Sequence, residues 1–288
     1  MINNTSPEKD RELQGRVVLV PGASRPIGRA IARKFANNGA YLILPVYNDW
    51  PESIVEMKQE FSSAGYNFLC LACDLTNKQE TSRLIEQTEE EIGKLHIVIN
   101  NIERGGRPIV HGSYDLDVNQ DQWELEFSTT VTAKWNLFHY SLPLLKKCGD
   151  GALINISSIA GITGRSGPAA LLFSDGYSAA NRCISSFTEA WAQEAAPEIR
   201  VNEVMLGLIQ GRHTEGTRGW SVLSETQRQD LLEHTLLKRS GTPDEVAEIV
   251  YFLSVKAHYM TGCQLRVDGG YCLGSEQTIA MPPGILDK

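Results

Sequence analysis

"RVVLVPGASRPIGRAIARKFANN", residues 16–38, changes character at its centre. Arg16 to Val20 form a short β-branched run of the kind that packs in a sheet. Gly22, Ser24 and Pro26 interrupt it. Beyond them Ile27, Ala30, Ile31 and Phe35 recur at the spacing of one helical face, and Gly39 supplies a stop. A strand, a glycine-bearing turn and a helix in this order bring backbone N–H groups and a helix N-terminus to where a dinucleotide pyrophosphate can approach. Alone, a partial glycine pattern says little; its flanking strand and helix give it weight.

The alternation continues along the chain. "AYLILPV" reads as a second strand and "ESIVEMKQEFSSAG" as a helix ending at Gly65. "YNFLCLAC" has the look of a buried third strand. A helix then begins at "TNKQ", where Thr76 and Gln79 have capping-box spacing, and stops at Gly93. "LHIVIN" is a fourth strand, and a helical segment is expected from about Asp121 to Leu142, ended by Pro143. "GALINIS" is a fifth strand, and the helix after Tyr177 carries Cys183, Ile184, Phe187 and Trp191 on its apolar side. "IRVNEVM" and "QLRV" supply two more strands. Between them "TPDEVAEIVYFLS" opens with a Thr242 cap, Pro243 in first position and Glu245 closing the box. The order predicts an α/β fold: a single Rossmann-type doubly wound domain, with a seven-stranded parallel sheet flanked by helices. No internal repeat or linker divides it. The domain is expected over 15–272, with an arm over 1–14 and a tail over 273–288.

Composition narrows the function classes. The 288 residues are 42% hydrophobic, enough for a sizeable core, and carry a formal charge of -8. No basic stripe tracks phosphates, which argues against a nucleic-acid partner. No apolar run is long enough to cross a bilayer, and the polar start "MINNTSPEKDRELQG" lacks the apolar stretch of a signal peptide, so no membrane association and a cytoplasmic location are expected. Cys70 and Cys73 form a C-x-x-C, but no second pair or histidine cluster follows. They read as reduced core thiols, and no metal site is expected.

"GASRPIG", "CDL", "INN", "LINISSIAG", "YSAAN", "IRVNEV", "RSGTPDEVAEIVYFL" and "MTGCQLRVDGGY" together resemble the short-chain dehydrogenase/reductase family, over nearly the whole chain from Gly15 to Tyr271. The resemblance implies NADP or NAD as cofactor, with Gly22, Ser24, Arg25, Ile27, Gly28, Asp74 and Asn100 at the cofactor positions. Arg25 stands where NADP-preferring members hold a base for the 2′-phosphate. Pro45, Val46 and Tyr47 replace the carboxylate that grips ribose hydroxyls in NAD-preferring ones.

Several positions depart from the family's pattern. Pro26 replaces the middle glycine of the loop and Pro21 its threonine. Ile102 and Glu103 follow "NN" where small residues are usual, so a carboxylate would oppose the cofactor's phosphates. Leu206 and Gly211 stand at the positions of a proline and a threonine that hold the nicotinamide. Of the family's catalytic tetrad Asn, Ser, Tyr and Lys, the chain aligns Thr130, Ser158, Tyr177 and Asn181. Tyr177 is the proton donor or acceptor by resemblance. A phenol titrates near pH 10, and a nearby ammonium lowers that by about 1–3 units. Asn181 carries no charge, and Arg182 lies about 100° around the helix. Lys134, one turn beyond Thr130, is the remaining cation that could reach the phenol. The Ser158–Tyr177 interval is also longer than usual, which puts their convergence in question.

Three functions are therefore open. The first is a catalytically deficient subunit assembled with an active partner, as in hetero-oligomeric hydroxyacyl-CoA dehydrogenases of this family, with weak or absent cofactor binding of its own; the departures above favour it. The alternatives to that first reading are an active NADP-dependent carbonyl reductase or hydroxyacyl dehydrogenase with an atypical site, and a regulatory ligand-binding protein on the same fold. The resemblance implies a dimer or tetramer with another subunit of the family, a small-molecule or acyl-thioester substrate in the complex, and a substrate lid over about 211–239.

Overall fold

A computed structural model describes residues 12–47, 50–102, 120–211, 220 and 223–276, the side chains of 120–122 excepted. Most of the arm and tail, and residues 212–219 and 221–222 of the expected lid, lie outside the described residues, as does Glu103.

Seven strands form one parallel sheet in the order β3-β2-β1-β4-β5-β6-β7. They are β1 Val17–Leu19, β2 Tyr41–Val46, β3 Phe68–Ala72, β4 Ile97–Asn100, β5 Gly151–Ser158, β6 Ile199–Leu206 and β7 Gln264–Val267. All six pairings are parallel. Alternate residues of each strand face opposite sides. Val18, Val20, Leu42, Leu44, Ile97 and Ile99 join one core cluster, with α1 (Pro26–Asn37) and the later helix Pro243–Tyr251. Val17, Leu19, Ile43 and Val98 join the other, beneath the helices of the opposite layer. The chain reverses direction across the sheet between β1 and β4, which is where doubly wound sheets open a crevice at the carboxyl ends of their strands. The glycine turn follows β1, and the pair Asn100-Asn101 lies at the carboxyl end of β4, so both face that crevice.

Three local expectations need correction, in β3, at the start of α3 and at Pro143. β3 is an edge strand and only half-buried, not an interior one. Cys70 packs against one core cluster and Cys73 against the other, on opposite sides of the sheet. They cannot grip one metal ion, and both thiols are free. Helix α3 (Lys78–Ile92) is capped by Asn77, which accepts from the backbone of Gln79 and Glu80, while Thr76 is turned back onto Asp74. Pro143 does not end its helix. After α2 (Pro51–Ser63) and α3 come α4 (Gln120–Glu126), a π-turn over Phe127–Thr132, and α5 (Ala133–Cys148), which runs past Pro143 to a left-handed Gly149. An interior proline costs about 3 kcal/mol. Burial of Leu137, Phe138, Leu142, Leu144 and Leu145 along α5 outweighs it.

The long interval between Ser158 and Tyr177 folds into a short helix, α6 (Ala160–Thr163), and a 3₁₀ turn over Pro168–Leu171. It delivers the chain to α7 (Asp175–Ala195), whose N-cap Ser174 accepts from the Tyr177 amide. Among the described residues after β6 are α8 (Glu225–His234) and α9 (Pro243–Tyr251), the latter carrying the predicted Thr242–Glu245 capping box.

Candidate active site

Ser158 ends β5, and its hydroxyl accepts the Ala160 N–H at 3.1 Å, closing the turn into α6. Tyr177 stands in the first turn of α7, and its phenol shares a hydrogen bond with the Ser158 side chain. The two converge despite the added residues, because those residues arch out as α6 and the 3₁₀ turn instead of stretching the gap. Tyr177 is 6% exposed, and Phe173 stacks over it with ring centroids 5.8 Å apart. Leu172, Met205, Leu208 and Trp220 share its apolar cluster.

Asn181 and Thr130 are wholly buried beside it. Asn181 turns its amide back along its own helix, where Nδ2 donates to the Tyr177 carbonyl at 2.9 Å. Its Oδ1 is buried without a hydrogen-bond partner, and so is the Thr130 hydroxyl. The π-turn that carries Thr130 packs against α7. An unmade hydrogen bond at a buried polar atom costs about 1–3 kcal/mol, so these two atoms are exceptions to the rule that buried polar groups are paired.

Lys134, the cation that by sequence could reach the phenol, is engaged elsewhere. It is buried, and its Nζ donates to the Ile102 carbonyl after β4. Burial pulls it down to about 7, against the fields of Glu203 and Glu126, which push the other way. Glu203 on β6 accepts from Ser157 and Ser185, and burial raises its carboxyl above the ordinary range. Among the described residues, the charge that acts on the Tyr177 phenol is Glu126, one turn before Thr130. Burial is the larger cause of that phenol's raised pKa, the Ser158 hydrogen bond opposes it, and the Glu126 carboxylate raises it further. Arg182 is exposed on the neighbouring face of α7, as its position in the helix predicts. Glu126 was not legible from sequence: it lies in no motif, and only the packing of α4 against α7 brings it near.

The predicted cofactor positions gather around the carboxyl ends of β1, β3 and β4. Gly22 has a left-handed φ of +67, and Arg25 N donates to its carbonyl at 3.0 Å, forming the turn. A Cβ on Gly28 would lie 2.2 Å from the Gly22 carbonyl oxygen and 2.8 Å from Asn101 Nδ2. Asn101 in turn donates to the Pro21 carbonyl at 3.2 Å. The Ile27 side chain belongs to the core. Pro26 opens α1, and Arg25 stacks its guanidinium 4.4 Å over the Trp50 ring. Ser24 and Arg25 edge a cleft of about 430 Å³ that Arg29, Arg33, Ser53 and Asp244 also line. Asp74 accepts from both the amide and hydroxyl of Thr76, an Asx turn at the end of β3. Asn100 donates to Asn155 and to the Lys134 carbonyl, within a buried polar seam that continues to Thr188.

How a dinucleotide fits this turn depends on Pro26. The second glycine of such a turn exists so that backbone can approach the pyrophosphate. Here that position carries a ring and lacks an N–H. The ring packs on Gly211, where a Cβ would lie 2.8 Å from Pro26 Cγ. At the pyrophosphate end of the crevice the chain therefore presents a proline ring where a backbone N–H would otherwise face the ligand. Among the described residues no set of His, Cys, Asp and Glu could hold a metal ion, and no helix is long and apolar enough to cross a membrane.

The comparisons with known proteins agree with the fold. The family profile described as Enoyl-(Acyl carrier protein) reductase matches residues 22–272. The 3-oxoacyl-[acyl-carrier-protein] reductase FabG of Thermotoga maritima is 27% identical over 260 residues, covering 90% of this chain and 98% of the relative. The protein of the same name from Haemophilus influenzae is 30% identical, over 91% of this chain and 100% of its own length. A crystal structure from Sinorhizobium meliloti, assigned as a short-chain alcohol dehydrogenase, superimposes with a TM-score of 0.78 at 26% identity, covering 92% of this chain and 99% of the other. With these matches joined to the sheet order, the glycine turn and the Ser158–Tyr177 pair, the chain belongs to the short-chain dehydrogenase/reductase family.

Proposed function

We propose that this chain is a subunit that does not itself transfer hydride and that serves to assemble with, or stabilise, an active chain of the same family. One observation carries the reading: Asn181 stands where a lysine would face the phenol, and its amide is bonded to its own helix 2.9 Å away. Burial and the Glu126 carboxylate raise the Tyr177 pKa, and the Ser158 hydroxyl opposes them. A phenol held in its neutral form can donate a hydrogen bond to a carbonyl oxygen. It is a poor proton acceptor from an alcohol, because a general base works best with a pKa near the operating pH. Trp123 and Trp135, both exposed along α4 and α5, supply apolar surface suited to a partner's helices.

A second reading keeps one specific support. The Ser158–Tyr177 hydrogen bond preserves the two groups that would hold a substrate carbonyl, and the acyl-carrier-protein reductases among the relatives point to a 3-oxoacyl thioester reduced with NADPH. One experiment separates the two. The isolated chain is assayed with NADPH and a 3-oxoacyl thioester, beside its Tyr177→Phe variant. Turnover absent from both, with an active family member co-purifying from the native source, supports the subunit. Turnover that disappears only in Tyr177→Phe establishes the reductase.

A further inference from the structure

We propose that Pro26 and Gly211 form a matched contact that bridges the crevice at the pyrophosphate position, so that this chain excludes dinucleotides at the step of binding, independently of its missing lysine. This goes deeper into the subunit reading and rests on it only for the sense of the effect.

The argument begins with the glycines that the turn retains. Gly22 needs its left-handed φ of +67, and Gly28 lies so close to the Gly22 carbonyl and to Asn101 that any side chain would force the turn apart. Both are demanded by the fold, whether or not anything binds. The middle position is different. Nothing in the turn's own packing requires a glycine there; the requirement would come from a ligand's phosphates approaching the backbone. That is the position occupied by Pro26, at the first position of α1, where a proline is favoured.

The ring has a partner. Gly211 lies in the turn after β6, across the mouth of the crevice from α1, with φ at +76. A Cβ at residue 211 would lie 2.8 Å from Pro26 Cγ and 2.9 Å from Pro26 Cβ, well inside van der Waals contact. The two segments that a dinucleotide would pass between are thus in contact, and each carries the residue that permits it: a ring on one side, the absence of a side chain on the other. Arg25 next door is engaged with Trp50, which directs it along the outer side of α1.

The test uses the full chain and four proteins: wild type, Pro26→Gly, Gly211→Thr and the double variant. NADPH and NADH are the probes, followed by quenching of tryptophan fluorescence or by calorimetry, and thermal midpoints are recorded without ligand. Wild type is expected to show no saturation in the range where Pro26→Gly binds at least about tenfold tighter. Gly211→Thr alone is expected to lower the midpoint by about 3 °C or more, since about 1 kcal/mol moves it by roughly 2–4 °C at this size. Removing the ring in the double variant should return part of that loss. Wild-type binding as tight as that of Pro26→Gly overturns the inference, as does a Gly211→Thr protein as stable as wild type. Tight wild-type binding without turnover would discard the contact and leave the subunit reading resting on Asn181. Wild-type turnover would end both.

Discussion

The glycine turn after β1 and the first turns of α7 depart from the family's pattern in the same way. On the proposed subunit reading, each keeps the residues that its own packing requires and changes the one that only a bound molecule would need. In the turn, Gly22 and Gly28 stay because the backbone closes on itself and on Asn101, while the middle position is Pro26. In α7, Tyr177 stays as a buried ring under Phe173, bonded to Ser158, which also caps the turn into α6. The lysine position, whose ammonium would serve a proton and a ribose, is Asn181. Retention of a family residue is therefore weak evidence of activity where the fold alone explains it. Position-by-position packing separates the two causes.

That contrast can be broken by substitution, starting with the largest effect. Gly28→Ala should cost about 3 kcal/mol or more in chemical denaturation, because its Cβ meets backbone and nothing flexible gives way. Were it neutral, the retained glycine would need a ligand to explain it. Phe173→Ala should cost about 3 kcal/mol as well, and should make Tyr177 reactive toward nitration when it is protected in wild type. The effect expected from Lys134 depends on pH and is smaller only when counted per pH unit. Its folded pKa, about 7, lies below the 10.5 of the unfolded chain, so the unfolded state binds the extra proton between those values. Stability should then rise with pH across that window, with a slope approaching about 1.4 kcal/mol per pH unit, and Lys134→Met should flatten it. The raised carboxyl of Glu203 acts in the opposite sense, holding a proton in the folded state that is lost as pH rises above the ordinary carboxylate range. Denaturation series from pH 6 to 10 for both proteins check the sign. Smallest is Thr242→Ala, about 1 kcal/mol for the α9 cap, far from either site and a reference for an ordinary structural loss.

The architecture was readable because period and punctuation repeat. Strands of β-branched residues alternate with helices stopped at Gly39, Gly65 and Gly93, all three with left-handed φ. The Thr242-Pro243-Glu245 start of α9 carries its whole mechanism in four residues. Errors came where one signal had two readings. Thr76 and Asn77 are both capping residues, and only the direction of the Asp74 turn decides between them. Pro143 is a helix breaker in isolation, and the burial that overrides it is tertiary. The site was legible residue by residue but not in its electrostatics. Thr130, Ser158, Tyr177 and Asn181 fall in recognisable motifs. The convergence of Ser158 with Tyr177, the engagement of Lys134 by Ile102, and the presence of Glu126 all depend on distances between segments remote in sequence.

The 3₁₀ turn before α7 is held from far along the chain. The Tyr271 hydroxyl accepts the buried Ala169 N–H at 2.8 Å, and the His234 ring meets the Tyr271 ring edge-on at 4.5 Å. A chain shortened to end at Val267 would keep every strand of the sheet yet leave that amide dry and uncapped. Its first loosening should occur around Phe173 and Tyr177 and not at the cut, which amide exchange at Ala169 would register.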